Sequence, residues 1–543
     1  MPGRLAVDFG TSNTVVAVWD ESLGEGVPWH LAKLGKWTNA ISLEEKPPDK
    51  TGEAISVIPS LIHYSSDTRA CLGRQVCERS LEDSATSFRW MKRYIANRSP
   101  VTRQVHGRQV SNSQAGSDFL RLILATAKAE LSLNSNDEIA LTVPVEAYEH
   151  YEDWLAEVAR TAGFRRYRLI DEASAAALGY GTHIQPGHVY VVFDFGGGTL
   201  DVSVVLIEDS ETAATGRRCR VLGKAGHDLG GSSIDQWLFA DAIRQSNRRD
   251  FDNDVRAMSR QLLGECELAK IALSQRQKAD VTILNPQTGA IVVAAEWTRS
   301  QFEELLDKHD ALTEIDKTIR RALNDAREKG YSDEQVRNVL LVGGGSLIPC
   351  VQQMLQRIFG KEKVQLNRPL DAVARGAAAF IAGVDFYDHI QHDYALRHRD
   401  SSTGEESFHT IVQRGTPYPT KESVAKLTIR GSFDGQEQLG LAIFELGESR
   451  QHIKAGGTLE LVYDSSGNAR ITAVSFEDED RRNHFWLNED NPTFLKADPP
   501  TQKGQPRFLI EFGVDGNKRL LITVRDILAN RLIHRDLPVV KLT

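Results

Sequence analysis

The sequence predicts an α/β fold made of two related halves and followed by an all-β module. Three observations carry this expectation. Two segments resemble each other: residues 5–18 read LAVDFGTSNTVVAV and residues 190–206 read YVVFDFGGGTLDVSVVL. Each is an apolar β-branched run, then Asp-Phe-Gly, then a turn of small residues, then a second such run, the pattern of a β-hairpin. Strand and helix signals then alternate up to about residue 385, which is the mark of an α/β architecture. Beyond that point the texture changes to strand signals and turn residues with no clear amphipathic helix, as in a β-sandwich.

Taken in order, residues 4–7 form a short strand that enters the first turn at Asp8. Residues 117–131 read as a helix, and Glu138–Val143 as a buried strand that stops at Pro144. Residues 151–162 place Trp154, Leu155, Val158, Ala159 and Ala162 on one helical face, and Gly163 suits the C-cap. After the second hairpin, residues 257–273 and 302–329 each read as one long helix. Residues 335–342 read as a helix end and a strand running into Gly343-Gly344-Gly345, and residues 371–382 as a short Ala-rich helix. The β module shows strand signals at 425–429, 439–445, Thr458–Tyr463, 471–476, 508–514 and 520–525. Turns fall at Asp434-Gly435, Ser466-Gly467-Asn468 and Asp515-Gly516-Asn517. The polar stretch 388–400 holds the junction, and the charged run 477–482 reads as a solvated loop.

A chain of 543 residues exceeds one ordinary domain. Its net charge of −9, with no long basic run, argues against nucleic acid as the main partner. The five cysteines are scattered without a CxxC pair, which suits a reducing compartment and argues against a disulfide framework or a zinc site. No apolar run reaches the ~20 residues that a membrane helix needs. The turn motif at Asp8 leaves no room for a signal peptide, so a cytoplasmic protein without a membrane partner is expected.

The turn Gly10-Thr11-Ser12-Asn13 can aim several backbone N–H groups at one concave spot, a nest that suits phosphate. The turn Gly196-Gly197-Gly198-Thr199 offers the same chemistry from the second half. A single glycine turn in a hairpin is often only structural. Two of them, each preceded by an aspartate, are poised to hold a polyphosphate from both sides. Asp8, Asp194 and Asp201 then become candidates to hold the waters of a Mg²⁺ ion, against the plainer reading of turn-capping residues. The third glycine cluster, Gly343-Gly344-Gly345, either admits a ligand against the backbone or makes a tight strand-to-helix connection.

With these residues in view, the chain resembles a known family. Residues 8–13, Ile58-Pro59-Ser60, Met91-Lys92-Arg93, Thr142-Val143-Pro144, the run from Asp171 to Ala177, residues 194–201 and residues 341–349 occur in the order and spacing of the ATPase domain of the 70-kilodalton heat-shock chaperones, within the actin-like superfamily. The resemblance implies a two-lobed actin-like ATPase domain over residues 1–385, a linker over 386–395, and a substrate-binding β-sandwich over 396–543. It also implies ATP or ADP with Mg²⁺. Asp8 and Asp194 are implied to hold the hydrated metal, and Gly10 to Asn13 with Gly196 to Thr199 to grip the phosphates. Lys92 is implied to sit beside the γ-phosphate, with Glu172, Thr199 and Asp201 completing the catalytic pocket. Glu267, Lys270 and Ser274, on one helix face, match ribose and adenine positions, and Gly230, Gly231, Gly343, Gly344 and Gly345 line the same pocket.

The chain departs from the family at specific places. Two arginines that clamp adenine in relatives are Ile271 and Leu347 here. The proline after the motif glutamate is Ala173, a surface arginine is Glu152, and the leucine-rich linker is replaced by FYDHIQHDY. The family's helical lid has no counterpart before Thr543, so rapid exchange of bound peptide is expected. The resemblance implies a slow ATPase whose nucleotide state controls binding of extended or unfolded polypeptide, with co-chaperones as further partners. The alternative is an ATP-switched protein that binds one specific folded partner. A small-molecule kinase of the same superfamily is a third reading, for which no sugar-binding motif is evident.

Overall fold

The computed structural model describes residues 4–39, 54–145, 149–180, 185–209, 217–383, 385–387, 390, 392–399, 406–418, 420, 422–446, 458–463, 468–474, 484–489, 492–515 and 518–542. The chain divides into two compact units. One comprises Met1–Val145, Asp153–Tyr387 and Leu459–Ala473; the other comprises Glu146–Glu152, Asp388–Thr458 and Val474–Thr543.

The first unit is built on two sheets of the same plan. In the first sheet, β1 (Arg4–Phe9) and β2 (Asn13–Asp20) form the predicted hairpin, with Asp8 opposite Val15. Strand β3 (Glu138–Val143) lies parallel to β1 on its other side, and β4 (Arg166–Asp171) lies parallel to β3. The second sheet repeats this. Its hairpin is β5 (His188–Phe195) with β6 (Leu200–Asp209), Asp194 opposite Asp201. Strand β7 (Arg217–His227) continues antiparallel to β6, and β8 (Val336–Val342) runs parallel to β5. The near-continuous burial of β1, β5 and β6 follows from helices covering the sheets, as buried α/β strands require.

Two of those helices occupy the layer between the sheets. They are α1 (Glu172–Gly179) and α2 (Ala372–Ile381), both rich in alanine and fully buried but for Arg375. Their residues share one core with Ala6, Val15 and Ala140 of the first sheet and Val192, Val205 and Leu340 of the second. Backbones meet here. A Cβ on Gly179 would lie 1.8 Å from the Ala372 oxygen, and one on Gly376 would lie 1.6 Å from that of Ala175. The α1–α2 contact thus admits no larger residue at either place.

The second unit is a β-sandwich. One sheet has the order Glu406–Val412, Asp393–Arg399, Ile443–Leu446, His484–Trp486; another has Ala425–Arg430, Pro506–Val514, Arg519–Asp526, Arg531–Lys541. Alternate residues Phe508, Ile510 and Phe512 and their neighbours Leu520, Ile522 and Val524 enter its core, the period of two that strands impose. Among the described residues, no helix is long and apolar enough to cross a membrane.

Several elements differ from expectation. Residues 302–329 form two helices, Arg299–Lys308 and Ala311–Glu328, broken at Asp310, whose φ of 54° is left-handed. His309, beside the break, stacks on Trp237 with ring centroids 4.4 Å apart. The segment 439–445 is two strands, Gln436–Leu441 and Ile443–Leu446. Near the C-terminal end, where no strand signal was read, the residues form the strand Arg531–Lys541. Asp385–Tyr387 pairs parallel with β7, so the first residues of the expected linker belong to a sheet edge. The charged run 477–482 and residues 388, 389, 391, 466, 467, 516 and 517 lie outside the described residues.

Candidate active site

The two hairpin turns meet face to face. A Cβ on Gly197 would lie 2.7 Å from Ser12 Oγ, and one on Gly198 would lie 2.4 Å from Thr11 Oγ1. The glycines are what allow the two turns to approach so closely. The second turn is closed by the Gly196 amide donating to the Thr199 carbonyl at 2.9 Å. Behind it lies the N-terminus of α3 (Gly231–Gln245), whose Gly231 and Ser232 amides donate to the Gly196 and Gly197 carbonyls at 3.0 and 2.7 Å. Gly230 backs this turn, since its Cβ would lie 2.4 Å from the Gly198 carbonyl carbon.

Four carboxylates gather beside the turns. Asp8 Oδ1 accepts the Thr142 hydroxyl at 2.8 Å, and Asp201 Oδ1 accepts the Val145 amide at 3.0 Å. The Glu172 carboxylate, on the first residue of α1, accepts Lys92 Nζ. Trp90, in the left-handed region at φ 58°, leads into the short helix Met91–Ala96 that buries Lys92. Burial pushes the Glu172 carboxyl up to about 8; Lys92 opposes the shift, and Asp8 and Asp201 add to it. Burial likewise raises Asp8, with Lys92 and Thr142 opposing. Asp194 is raised well above the carboxylate range by burial and then by Glu172, Asp201 and Asp8. Clustered, desolvated carboxylates disfavour their own charge. Oxygen donors of this kind, with one lysine among them, are the environment that a hydrated Mg²⁺ offsets. The residues therefore fit Mg²⁺ and a polyphosphate.

The rest of the cavity, of about 390 Å³, is supplied by α4 (Asn253–Gln275), by the turn at Gly343, Gly344 and Gly345, and by α2. Lys270 Nζ lies 2.8 Å from Asp235 Oδ1 and donates to the Gly231 carbonyl at 3.1 Å. Burial pushes the Asp235 carboxyl up to about 6 against the pull of Lys270. Burial acts on Glu267 in the same sense, but Arg89, its ion-pair partner, and Lys270 outweigh it and hold it below the usual value. The size of the cavity suits a small-molecule ligand such as a nucleotide.

The structure brings together nearly all the residues singled out from sequence. Asp8, Gly10, Thr11, Ser12, Asn13, Lys92, Glu172, Asp194, Gly196 to Thr199, Gly231, Glu267, Lys270, Ser274 and Gly343 to Gly345 line this one cavity. Gly230 and Asp201 stand just behind it, the first under the second turn and the second within the carboxylate group. Ile271 and Leu347, the apolar replacements, both line it. The sequence reading missed Gln275, Gln352, Leu366, Leu370 and Val373 on its wall, and the partners Arg89 and Asp235. The aliphatic ones carry no signal that separates them from core.

Two sheets of one plan, each opening with an Asp-Phe-Gly hairpin, with their turns in contact beside buried carboxylates, define an actin-like ATPase domain. The family model described as Hsp70 protein matches residues 56–455, well over half the chain, and the chain belongs to the Hsp70 family. Members of the family are ATPases that bind nucleotide with Mg²⁺ and act as chaperones on unfolded polypeptides with co-chaperones. The first hairpin precedes the matched span, so its place in the site rests on its likeness to the second and on their contact.

Proposed function

We propose that this chain binds Mg·ATP between the two hairpin turns, hydrolyses it slowly to ADP and phosphate, and uses the nucleotide state to control binding of an extended polypeptide by its β-sandwich. The observation that carries the reading is the contact of Gly197 and Gly198 with Ser12 and Thr11 beside the Asp8, Glu172, Asp194 and Asp201 carboxylates.

The residues divide the work. Backbone amides and hydroxyls of Gly10 to Asn13 and Gly196 to Thr199 bind the phosphate oxygens. Asp8 and Asp194 hold the hydrated Mg²⁺, which supplies charge neutralisation for the phosphoryl group when bound. Lys92, fixed by its ion pair with Glu172, orients the water that attacks the terminal phosphorus and offsets charge that develops on it. Thr199 and Asp201 complete the polar wall. Glu267, Lys270 and Ser274 face the sugar and base from α4, and Gly343 to Gly345 let the ligand approach β8. Chemistry of this kind asks for positioning and electrostatics more than for covalent participation.

The test is calorimetry of the full chain with Mg·ATP, followed by turnover with and without an unfolded polypeptide. Binding, and turnover that rises with the polypeptide, is the expected result. No binding at millimolar nucleotide overturns the reading. Turnover that ignores unfolded chains but rises with one folded protein replaces the chaperone by a dedicated switch.

A further inference from the structure

A second buried ion pair stands next to the Lys92–Glu172 pair, and the chemistry above gives it no role. Lys224, on β7, brings Nζ to 2.5 Å from Asp171 Oδ2, and the two side chains are only 4% and 8% exposed. A lysine on a strand ordinarily carries its ammonium out to water along its flexible stem. This one instead reaches from the second sheet to the last residue of β4 in the first.

Asp171 is also the N-cap of α1, where its Oδ1 accepts the Ser174 amide at 2.8 Å. One carboxylate therefore does two things. Its first oxygen satisfies an amide in the opening turn of the helix, as N-caps do. Its second takes the ammonium of Lys224. The next residue is Glu172, the first of α1, whose carboxylate receives Lys92. The far end of α1 is pressed against α2 by the Gly179 and Gly376 contacts. Glu172 thus sits at the end of a helix whose other end is fixed by backbone packing and whose start is fixed by Asp171.

We infer that Lys224 is a positioning residue for ATP hydrolysis: by pinning Asp171 it sets the opening turn of α1, and so the placement of Glu172 and of the Lys92 that Glu172 holds. This rests on the ATPase reading above. Without the ammonium, the buried Asp171 carboxylate loses the ion pair it makes with Lys224, and a buried charge stripped of its partner rearranges. The cap then loosens and Glu172 moves with it. A shift of about 1 Å matters there, because transition-state stabilisation depends on placement.

The test uses full-length wild type, K224M, K224R, D171N and the double variant K224M/D171N, with single-turnover hydrolysis and Mg·ADP affinity measured on each. K224M is expected to slow hydrolysis by about tenfold or more while changing nucleotide affinity by less than about threefold, since neither Lys224 nor Asp171 lines the nucleotide cavity. K224R is expected to recover much of the rate. The double variant, which removes the stranded charge and keeps an acceptor for the Ser174 amide, is expected to hydrolyse faster than K224M alone, a coupling that simple loss of structure does not produce. If K224M does not fold, the comparison of K224R and the neutral double variant with wild type decides the matter: equal rates in all three overturn the inference. So does a folded K224M at the wild-type rate, or one that loses affinity and rate in parallel. A wild-type chain that binds Mg·ATP without turnover overturns the ATPase reading together with this one, whereas turnover in wild type alongside an unaffected K224M overturns this one alone.

Discussion

Where the two hairpin turns meet, the cavity wall is backbone, hydroxyl and carboxylate. Where α4, the turn at Gly343 to Gly345 and α2 close it, Ile271, Leu347 and Val373 stand beside Glu267 and Lys270. The first region concentrates like charge out of water, with Asp194 raised by burial and by three neighbouring carboxylates. The second offers apolar area and charges already paired within the protein, Glu267 with Arg89 and Lys270 with Asp235. The difference teaches where binding energy and selectivity lie. The turn region has unmet electrostatic demand that, on the proposed function, a cation and a polyphosphate would satisfy, so it would dominate both affinity and catalysis. The α4 region has little unmet demand, and its contribution is dispersion and area.

The largest effect that tests this contrast comes from the turn region. D194N is expected to slow single-turnover hydrolysis by about 100- to 1,000-fold, the scale of losing one preorganised electrostatic element. The same substitution removes a carboxylate whose charge the fold disfavours, so the nucleotide-free protein is expected to be no less stable than wild type. K92A is expected to lose a similar factor in rate, but it strands Glu172 among other carboxylates and lowers the melting temperature. Rates near wild type in both folded variants would remove these residues from the active site.

The same division explains what the sequence made legible. Phosphate turns need glycine, aspartate and small hydroxyl residues at short, fixed spacing, so both hairpins could be read directly as strand, turn and strand. Lys92 came only through family resemblance, because a lysine on a short helix reads as solvated; Lys224 on its strand is hidden for the same reason. Leu366, Leu370 and Val373 are apolar wherever they point, and nothing local separates pocket wall from core. The break at Asp310 escaped because the apolar spacing of Phe302, Leu305 and Leu306 runs on into Ala311, Ile315 and Ile319, and neither glycine nor proline marks the turn. The strand Arg531–Lys541 escaped because every one of its residues is partly or fully exposed, which leaves no buried face in the sequence pattern.

A mid-sized effect concerns Asp235, the carboxylate on α3 that pairs with Lys270 of α4 and that burial raises. The folded-state value of Asp235 is about 6, above its ordinary 3.8. A raised value means that the folded chain holds the proton more tightly than the unfolded chain. The associated stability is fully present below about pH 4 and is lost as the pH rises through about 6. D235N mimics the protonated form throughout. Its stability relative to wild type is therefore expected to improve as the pH rises from about 4 to about 7. Chemical denaturation of the nucleotide-free proteins across that range checks it. A relative stability that does not change with pH would show that the Lys270 pair keeps Asp235 ionised, and that the α4 region has no unmet charge at all.

The smallest expected effect bears on the apolar wall itself. Ile271 follows Lys270 on α4 and lines the cavity with Leu347; the family resemblance matches both to positions at which arginines stack on the base. An arginine at 271 offers a flat cation to stack on a purine, worth about 0.5–1 kcal/mol where exposed and about 2 when desolvated. Glu267, one helical turn earlier, competes for the new guanidinium, although Arg89 already holds it. I271R is therefore expected to tighten Mg·ADP by about two- to tenfold. Stacking tolerates any purine, so the ratio of ADP to GDP affinity is expected to stay within about tenfold in wild type and to move little in the variant. A site that hydrogen-bonds the base edge behaves otherwise, rejecting the wrong partner by about 10⁴ because its own polar groups are left unpaired. Calorimetry with the two diphosphates separates the cases. Strong discrimination in wild type would mean that Gln275 or Gln352 reads the base, and that the α4 region is a recognition surface and not merely a greasy wall.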